Sequence, residues 1–150
     1  IGGVYLAMTG TLPLPILGAA SVAGLGPTFV IFGKHIDKRA RDEALGMGTL
    51  PVRLGDARSR ALLVGLIWLQ VLLHGVLVLA GALPWPTLIA WAALPGAVAL
   101  TKVCREPRPE QRPEHWPERA WPLWFVAHAF AYARRYTLLF TLGLLVVLPF

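Results

Sequence analysis

Two aspartates, Asp37 and Asp42, lie in a charged stretch that directly follows thirty-three residues without any charge. Mg²⁺ is usually held by one or two carboxylates together with phosphate oxygens of its substrate. Basic side chains, which balance phosphate charge, surround the two acids; they are Lys34, Lys38, Arg39, Arg41 and Arg53. These residue types indicate chemistry on an anionic headgroup or a diphosphate, with the two aspartates holding the metal.

A second interpretation of the same charges is a salt-bridged membrane edge. Asp37 would then pair with Arg41, and Lys38 with Asp42, because side chains four residues apart are neighbours on a helix. Charge clusters beside membrane spans are common, so the charge pattern alone favours this interpretation.

The composition is that of a membrane protein. Hydrophobic residues make up 56%, charged residues only 15%, and the mean hydropathy is +0.61, which is too apolar for the surface of a soluble domain of this size. Every Asp, Glu, Lys and Arg lies in 34–60 or 102–135.

The net charge of +6 comes from basic residues that flank hydrophobic blocks, so we expect no nucleic-acid partner. The single cysteine, Cys104, cannot form an internal disulfide.

Span length and turn residues predict how the chain crosses the bilayer, since a helix needs about 20 residues to do so. The uncharged stretch 61–101 is twice that length and has Leu-Pro-Trp-Pro at its middle, which predicts a helical hairpin. The predicted spans are a partial one at about 1–9, then 14–34, 60–81, 85–103 and 136–150. The loops at 35–59 and 104–135 lie on the same side of a hairpin and are rich in Lys and Arg, so we expect both to be cytoplasmic.

The second loop divides into two parts. Residues 104–122 contain five prolines and predict an extended, solvated linker. A helix at about 120–133 would be only about 21 Å long, which favours an interfacial helix over a span. Arg134 and Arg135 would then lie at the cytoplasmic surface.

Gln70 and His74 are four residues apart, so they share a face of the span 60–81. Polar residues at membrane depth are functional candidates. Interhelical hydrogen bonding explains them more simply and is the interpretation we favour.

The string GKHIDKRARDEALGMGTLPVRLG at 33–55 resembles the second aspartate-rich motif of the UbiA superfamily of intramembrane prenyltransferases. Asp42 is followed by Gly46 at the expected distance, and the T-L-P-V-R-L-G run at 49–55 also matches. The resemblance extends to a small-residue span before the motif, a hairpin after it, and a late WPLWFVAHAF stretch at 121–130 followed by a terminal span.

This resemblance implies an all-α, polytopic transmembrane helical bundle with a partial UbiA-like prenyltransferase fold. It implies transfer of a prenyl group from a prenyl diphosphate to a membrane-accessible acceptor, often aromatic, with Mg²⁺ as cofactor. Asp37 and Asp42 would be the catalytic metal ligands. Lys34, Lys38 and Arg53 would bind the diphosphate substrate.

The sequence departs from the family pattern because the first motif, N-D-x-x-D-x-x-x-D, is absent. The resemblance therefore covers the C-terminal half of a nine-span member. We expect the 150 residues alone to be inactive.

A second departure is the five-residue spacing of Asp37 and Asp42, where the family has four. On a regular helix, five residues separate two side chains by about 140°, against about 40° for four residues. We therefore expect the helix to end, or to form a π-type turn, before Asp42. A helix that stays regular would mean that the two acids do not share one ion.

Two rival functions remain. A CDP-alcohol phosphotransferase also uses acids at a membrane surface, but its D-G-x-x-A-R and G-x-x-x-D-x-x-x-D pattern is not found here. A non-enzymatic transporter or assembly subunit would use the basic loop 34–60 only to bind lipid headgroups.

Overall fold

The computed structural model describes residues 1–114 and 116–147, and this part of the chain contains helices and no strand. Residue 115 of the predicted loop and the last three residues of the predicted span 136–150 lie outside the described residues. The α-helices are α1 (Gly2–Thr9), α2 (Leu14–Ala44), α3 (Leu50–Leu54), α4 (Asp56–Leu79), α5 (Leu94–Val103) and α6 (Phe125–Leu145), with 3₁₀ helices at Trp85–Ala93 and Glu118–Ala120.

Three helical segments are long and apolar enough to cross a membrane: α2, α4 and the continuous segment Trp85–Val103. The last of these joins a nine-residue 3₁₀ helix to α5. A 3₁₀ helix rises about 2.0 Å per residue and an α-helix about 1.5 Å, so nineteen residues reach about 33 Å. The predicted all-α membrane architecture is confirmed.

The bundle core forms where α6 packs on α2 and on the Trp85–Ala93 helix, while α4 packs on α2. The residues that α2 buries along this face follow a helical spacing of three and four, namely Gly18, Val22, Gly26, Phe29, Gly33 and Ile36. Those of α6 do the same, at Phe125, Ala129, Tyr132, Tyr136, Phe140 and Gly143. The two helices are antiparallel, because a Cβ at Gly33 would lie against Val126 and one at Gly26 against Thr137.

Gln70 connects three helices in the core. Its amide Nε2 donates to the Val22 carbonyl of α2 at 2.8 Å, and its Oε1 accepts from the Tyr132 hydroxyl of α6 at 3.0 Å. Gln70 is fully buried, where an unpaired amide would be costly.

His74 forms the centre of a second buried chain of hydrogen bonds. Its Nε2 lies 2.9 Å from Thr87 Oγ1, and its Nδ1 lies 2.7 Å from the Tyr136 hydroxyl. The single hydroxyl proton of Thr87 goes to the Pro84 carbonyl at 2.6 Å, so Thr87 accepts from Nε2–H and Nδ1 accepts from Tyr136. The prediction that Gln70 and His74 hold helices together is confirmed.

The predicted break between Asp37 and Asp42 is wrong. Helix α2 runs without a π-turn from Leu14 to Ala44 and includes both acids. The intervening Lys, Arg and Ala residues are good helix formers, and Arg39 pairs with Glu43 one turn on, at 3.2 Å. The helix ends at Ala44, and Gly46, two residues on, has a φ of 69° in the left-handed region that stops a helix from continuing.

The predicted separation of an interfacial helix at 120–133 from a span at 136–150 is also wrong. One helix, α6, continues from Phe125 to Leu145 through Arg134 and Arg135. Two adjacent arginines interrupt a hydropathy pattern without interrupting a helix, since Arg has a high helix propensity.

We predict that replacing Gly143 by Ala destabilises the bundle. An added Cβ would lie 2.5 Å from the Thr87 Cα and 2.6 Å from the Pro86 carbonyl oxygen, and backbone atoms cannot move aside cheaply. The expected loss of unfolding free energy is about 1–3 kcal/mol, measured as a lower thermal midpoint in detergent.

Gly65→Ala in α4 is the matched control, because nothing lies within 4 Å of its added Cβ. In this variant the only expected effect is the higher helix propensity of Ala, which adds about 1 kcal/mol of stability at most. The thermal midpoint should therefore stay the same or rise. Equal behaviour of the two variants would contradict the close approach at Gly143.

Candidate functional site

The charged end of α2 is built from the last three turns of that helix, from α3, and from the start of α6. Asp37 faces α6. Its Oδ1 accepts the Phe125 N–H at 3.1 Å, and its Oδ2 accepts the Val126 N–H at 3.0 Å.

Asp37 therefore caps a helix other than its own. The first N–H groups of a helix lack partners within it, and the residue before α6, Trp124, provides no side-chain cap. A carboxylate at this end is also favoured by the helix dipole.

Gly33 makes this contact possible, because it lies one turn before Asp37 on α2. A Cβ at Gly33 would be 3.1 Å from both the nitrogen and the Cα of Val126. An alanine at this position would require the start of α6 to shift by a few tenths of an ångström.

Arg108 ties the proline-rich linker to the same point. Its Nη1 donates to the Asp37 carbonyl at 3.0 Å and to the Pro122 carbonyl at 3.1 Å. The guanidinium also lies 5.7 Å from the ring centroid of Trp121, within cation–π range. The described part of the linker is irregular and largely exposed, and Arg108 fixes it to the bundle at this point.

Asp42 faces away from Asp37 and is only 4% exposed. Its Oδ2 lies 3.4 Å from His35 Nδ1 and accepts the Thr49 hydroxyl, also at 3.4 Å. Thr49 directly precedes α3, so Asp42 links the end of α2 to the T-L-P-V-R-L-G segment.

A row of cations lies between the two acids. Successive residues turn by about 100° on an α-helix, which places Lys34, Lys38 and Arg41 within about 60° of one another and between the directions of Asp37 and Asp42. Lys34 and Arg41 are exposed and Lys38 is partly buried. Arg53, exposed on α3, has its guanidinium 3.5 Å from where a Gly48 Cβ would lie.

The salt bridges of the alternative interpretation do not form. Within 1–114 and 116–147 the ion pairs are His35–Asp42, Arg39–Glu43 and Asp56–Arg60. Asp37–Arg41 and Lys38–Asp42 are not among them, so the cation row is not neutralised by the nearby aspartates.

The described residues contain no cluster of three or more His, Cys, Asp or Glu that could hold a metal. Because α2 stays regular, Asp37 and Asp42 diverge by about 140°. The structure thus brings Asp42 together with His35 and Thr49, and Asp37 together with α6, but it does not bring the two aspartates together.

Cys104 lies at the end of α5, and its carbonyl accepts from Arg60 Nη1 at 2.8 Å. Burial raises the pKa of the Cys104 thiol to about 12. The nucleophilic form of cysteine is the thiolate, so this thiol is not a nucleophile at neutral pH.

Sequence reasoning missed Gly33, Arg108, His35 and Thr49. His35 lies seven residues, or two turns, before Asp42 and would have been found if a regular helix had been assumed. Gly33 and Arg108 act on α6, which is distant in sequence, and no local pattern marks them.

Fold and site together define an all-helical membrane bundle that presents acids and a cation row at the end of one membrane-length helix. The UbiA prenyltransferase family model matches residues 1–121, and the chain belongs to this family. A prenyltransferase-type function, prenyl substrates and an integral membrane location follow in general terms. Comparison with curated proteins and comparison with solved structures each give no match.

The family match ends at residue 121. Most of the WPLWFVAHAF stretch that supported the resemblance therefore lies beyond it. So do Phe125 and Val126, the two residues whose N–H groups Asp37 binds.

We predict that Asp37→Ala lowers the free energy of unfolding by about 1–3 kcal/mol, because two N–H groups lose a charged acceptor. Asp37→Asn should lose less, since its carbonyl oxygen still accepts one of them. Thermal unfolding in detergent with EDTA measures this effect without any contribution from bound divalent metal.

Glu43→Ala is the control, because Glu43 is an exposed acid of the same helix whose partner is Arg39. Its cost should stay below about 0.5 kcal/mol. Wild-type stability for Asp37→Ala in EDTA would show that Asp37 does not support α6.

Proposed function

We propose that the protein transfers a prenyl group from a prenyl diphosphate to a membrane-accessible acceptor, with Mg²⁺, at the charged end of α2. The observation that carries this proposal is the buried carboxylate of Asp42 beside an unneutralised cation row, within the motif of a UbiA family member. We further propose that this end of α2 faces the cytoplasm, in line with the positive-inside rule.

Asp42 fits as a magnesium ligand of this chain. Magnesium takes oxygen ligands and often binds through one or two carboxylates plus phosphate oxygens. One carboxylate oxygen of Asp42 is engaged with His35 and Thr49 at 3.4 Å, which orients the group, while Oδ1 has no hydrogen bond among those found in the described residues. When bound, Mg²⁺ would neutralise diphosphate charge and make it a better leaving group.

Asp37 fits less well as a metal ligand, because each of its carboxylate oxygens already accepts a backbone N–H. We therefore propose Asp37 as a positioning residue that holds α6 against α2. The predicted pair of metal ligands becomes, in this proposal, one ligand and one positioning residue.

Lys34, Lys38 and Arg41 would hold the diphosphate, with Arg53 approaching from α3. Cations stabilise a transition state most where negative charge develops on the leaving group. This row of cations has no acidic partner among the described residues. The uncharged residues 14–33 continue the same helix, so the prenyl chain would lie along the apolar part of the bundle.

The rival function is a non-enzymatic subunit that only binds lipid headgroups; it would use the cation row and would leave Asp42 only its contacts with His35 and Thr49. The family match does not support it.

We predict that Asp42→Asn in the complete gene product lowers prenyl transfer by on the order of 100-fold, since it removes a charge that acts on the reacting group. The measurement is transfer from a radiolabelled prenyl diphosphate, assayed in nanodiscs across a series of Mg²⁺ concentrations. High Mg²⁺ should restore part of the activity if Asp42 binds the metal.

Glu43→Gln is the matched control, because it removes an adjacent acid that is exposed and outside the proposed site. Its transfer rate should be within about threefold of the wild type. Unchanged turnover in Asp42→Asn, or a wild-type protein that transfers no prenyl group, would rule out the proposed function.

A further inference from the structure

Arg134 and Arg135 lie farther from the charged end of α2 than the sequence predicts. Helix α6 begins at the charged end of α2, where Phe125 contacts Asp37, and then runs antiparallel to α2. Nine residues separate Phe125 from Arg134, which is about 14 Å along the helix. Arg134 accordingly borders a groove with Gly26, Pro27, Val30 and Ile31 of α2, which belong to its uncharged part.

The sequence predicted that these arginines follow a separate helix at 120–133 and lie at the cytoplasmic surface; in the structure they lie within α6, and Arg134 lies beside the uncharged part of α2. An arginine at the depth of apolar helices is costly unless its charge is compensated. The neighbouring segments 1–33, 61–101 and 119–147 contain no Asp or Glu. Neither arginine takes part in an ion pair within the described ranges.

A polar cavity of about 330 Å³ lies beside both arginines, between α5 and α6. It is lined by Arg134, Arg135, His128 and Tyr132 on α6 and by Gly96, Ala99 and Leu100 on α5, with Ala131 completing it. The small residues of α5 leave the space that two guanidinium groups share.

Side chains of a helix lean toward its N-terminus, so these guanidinium groups lean toward the charged end of α2. They thereby approach the level at which lipid phosphates lie. Two guanidinium groups on one phosphate can form several charge-assisted hydrogen bonds.

An almost wholly apolar groove adjoins the same residue on its other side. It has a volume of about 370 Å³ and is lined by Gly26, Pro27, Val30, Ile31, Phe130, Ala133 and Thr137 in addition to Arg134. A free phosphate would gain no favourable contact from such an apolar groove, whereas an acyl chain would fill it.

We propose that Arg134 and Arg135 bind the phosphate of an anionic phospholipid, whose headgroup lies in the α5–α6 cavity and one of whose acyl chains lies in the apolar groove beside α2. This site is separate from the one at Asp42, and it involves binding only. Its test does not depend on prenyl transfer.

The test is thermal unfolding of the complete gene product in detergent, with added phosphatidylglycerol, phosphatidylcholine, or inorganic diphosphate. Phosphatidylglycerol should raise the midpoint more than phosphatidylcholine. In Arg134→Gln/Arg135→Gln, its half-saturating concentration should rise by on the order of 30-fold, because each of the two basic residues near a membrane surface contributes about 1 kcal/mol to binding and about 1.4 kcal/mol corresponds to tenfold.

Two controls keep the result interpretable. Arg134→Lys/Arg135→Lys retains both charges and should keep most of the response, which separates lost binding from lost folding. Arg119→Gln removes an exposed arginine of the Glu118–Ala120 helix and should leave the response unchanged.

Three outcomes would overturn the proposal. These are equal stabilisation by the two lipids in the wild type, an undiminished phosphatidylglycerol response in the double Gln variant, and a response to diphosphate but not to phosphatidylglycerol that depends on the two arginines. The last would assign the arginines to a free phosphate group.

Discussion

The capping of α6 by Asp37 is the interaction on which the rest of the structure depends. It joins a side chain near the end of α2 to backbone groups about ninety residues later in the chain. Because it acts at the first turn of α6, it sets which residues of the two helices meet further down. Phe29 then stacks on Tyr132 with ring centroids 6.0 Å apart, and Gly26 lies against Thr137. A cap at one end thus fixes a register along the whole interface.

The five-residue spacing of Asp37 and Asp42 has a direct structural meaning. On a regular helix the two carboxylates point to opposite sides of the cation row. One side meets α6 and the linker, and the other meets Thr49 and α3. Had the spacing been four, both acids would have faced the same neighbour, and either the start of α6 or Thr49 would have lost its carboxylate partner on α2.

Much of the fold could be predicted from the sequence, because it follows from local hydropathy. The hairpin of 60–81 and 85–103 and the pairing role of Gln70 and His74 are properties of span length and helical spacing. The start of α6 could not be predicted in this way, since Asp37 and Gly33 determine it through contacts that only the folded bundle makes. The helix break was wrongly predicted because the two aspartates were assumed to share one ion, which forced a local distortion that the helix-forming residues 38–41 do not need.

The same register explains why the arginines of α6 lie where they do. If α6 began at residue 120, as the hydropathy suggested, Arg134 and Arg135 would lie beyond its end and at the surface. Since α6 begins at Phe125 beside Asp37 and remains helical to Leu145, Arg134 lies alongside the apolar part of α2, next to Gly26 and Pro27, and Arg135 follows it on the same helix. The buried hydrogen bonds of Tyr132 and Tyr136, to Gln70 and His74, prevent α6 from sliding back. The presence of two adjacent positive charges at that depth is therefore a consequence of the capping contact. The small residues of α5 leave a cavity beside their guanidinium groups.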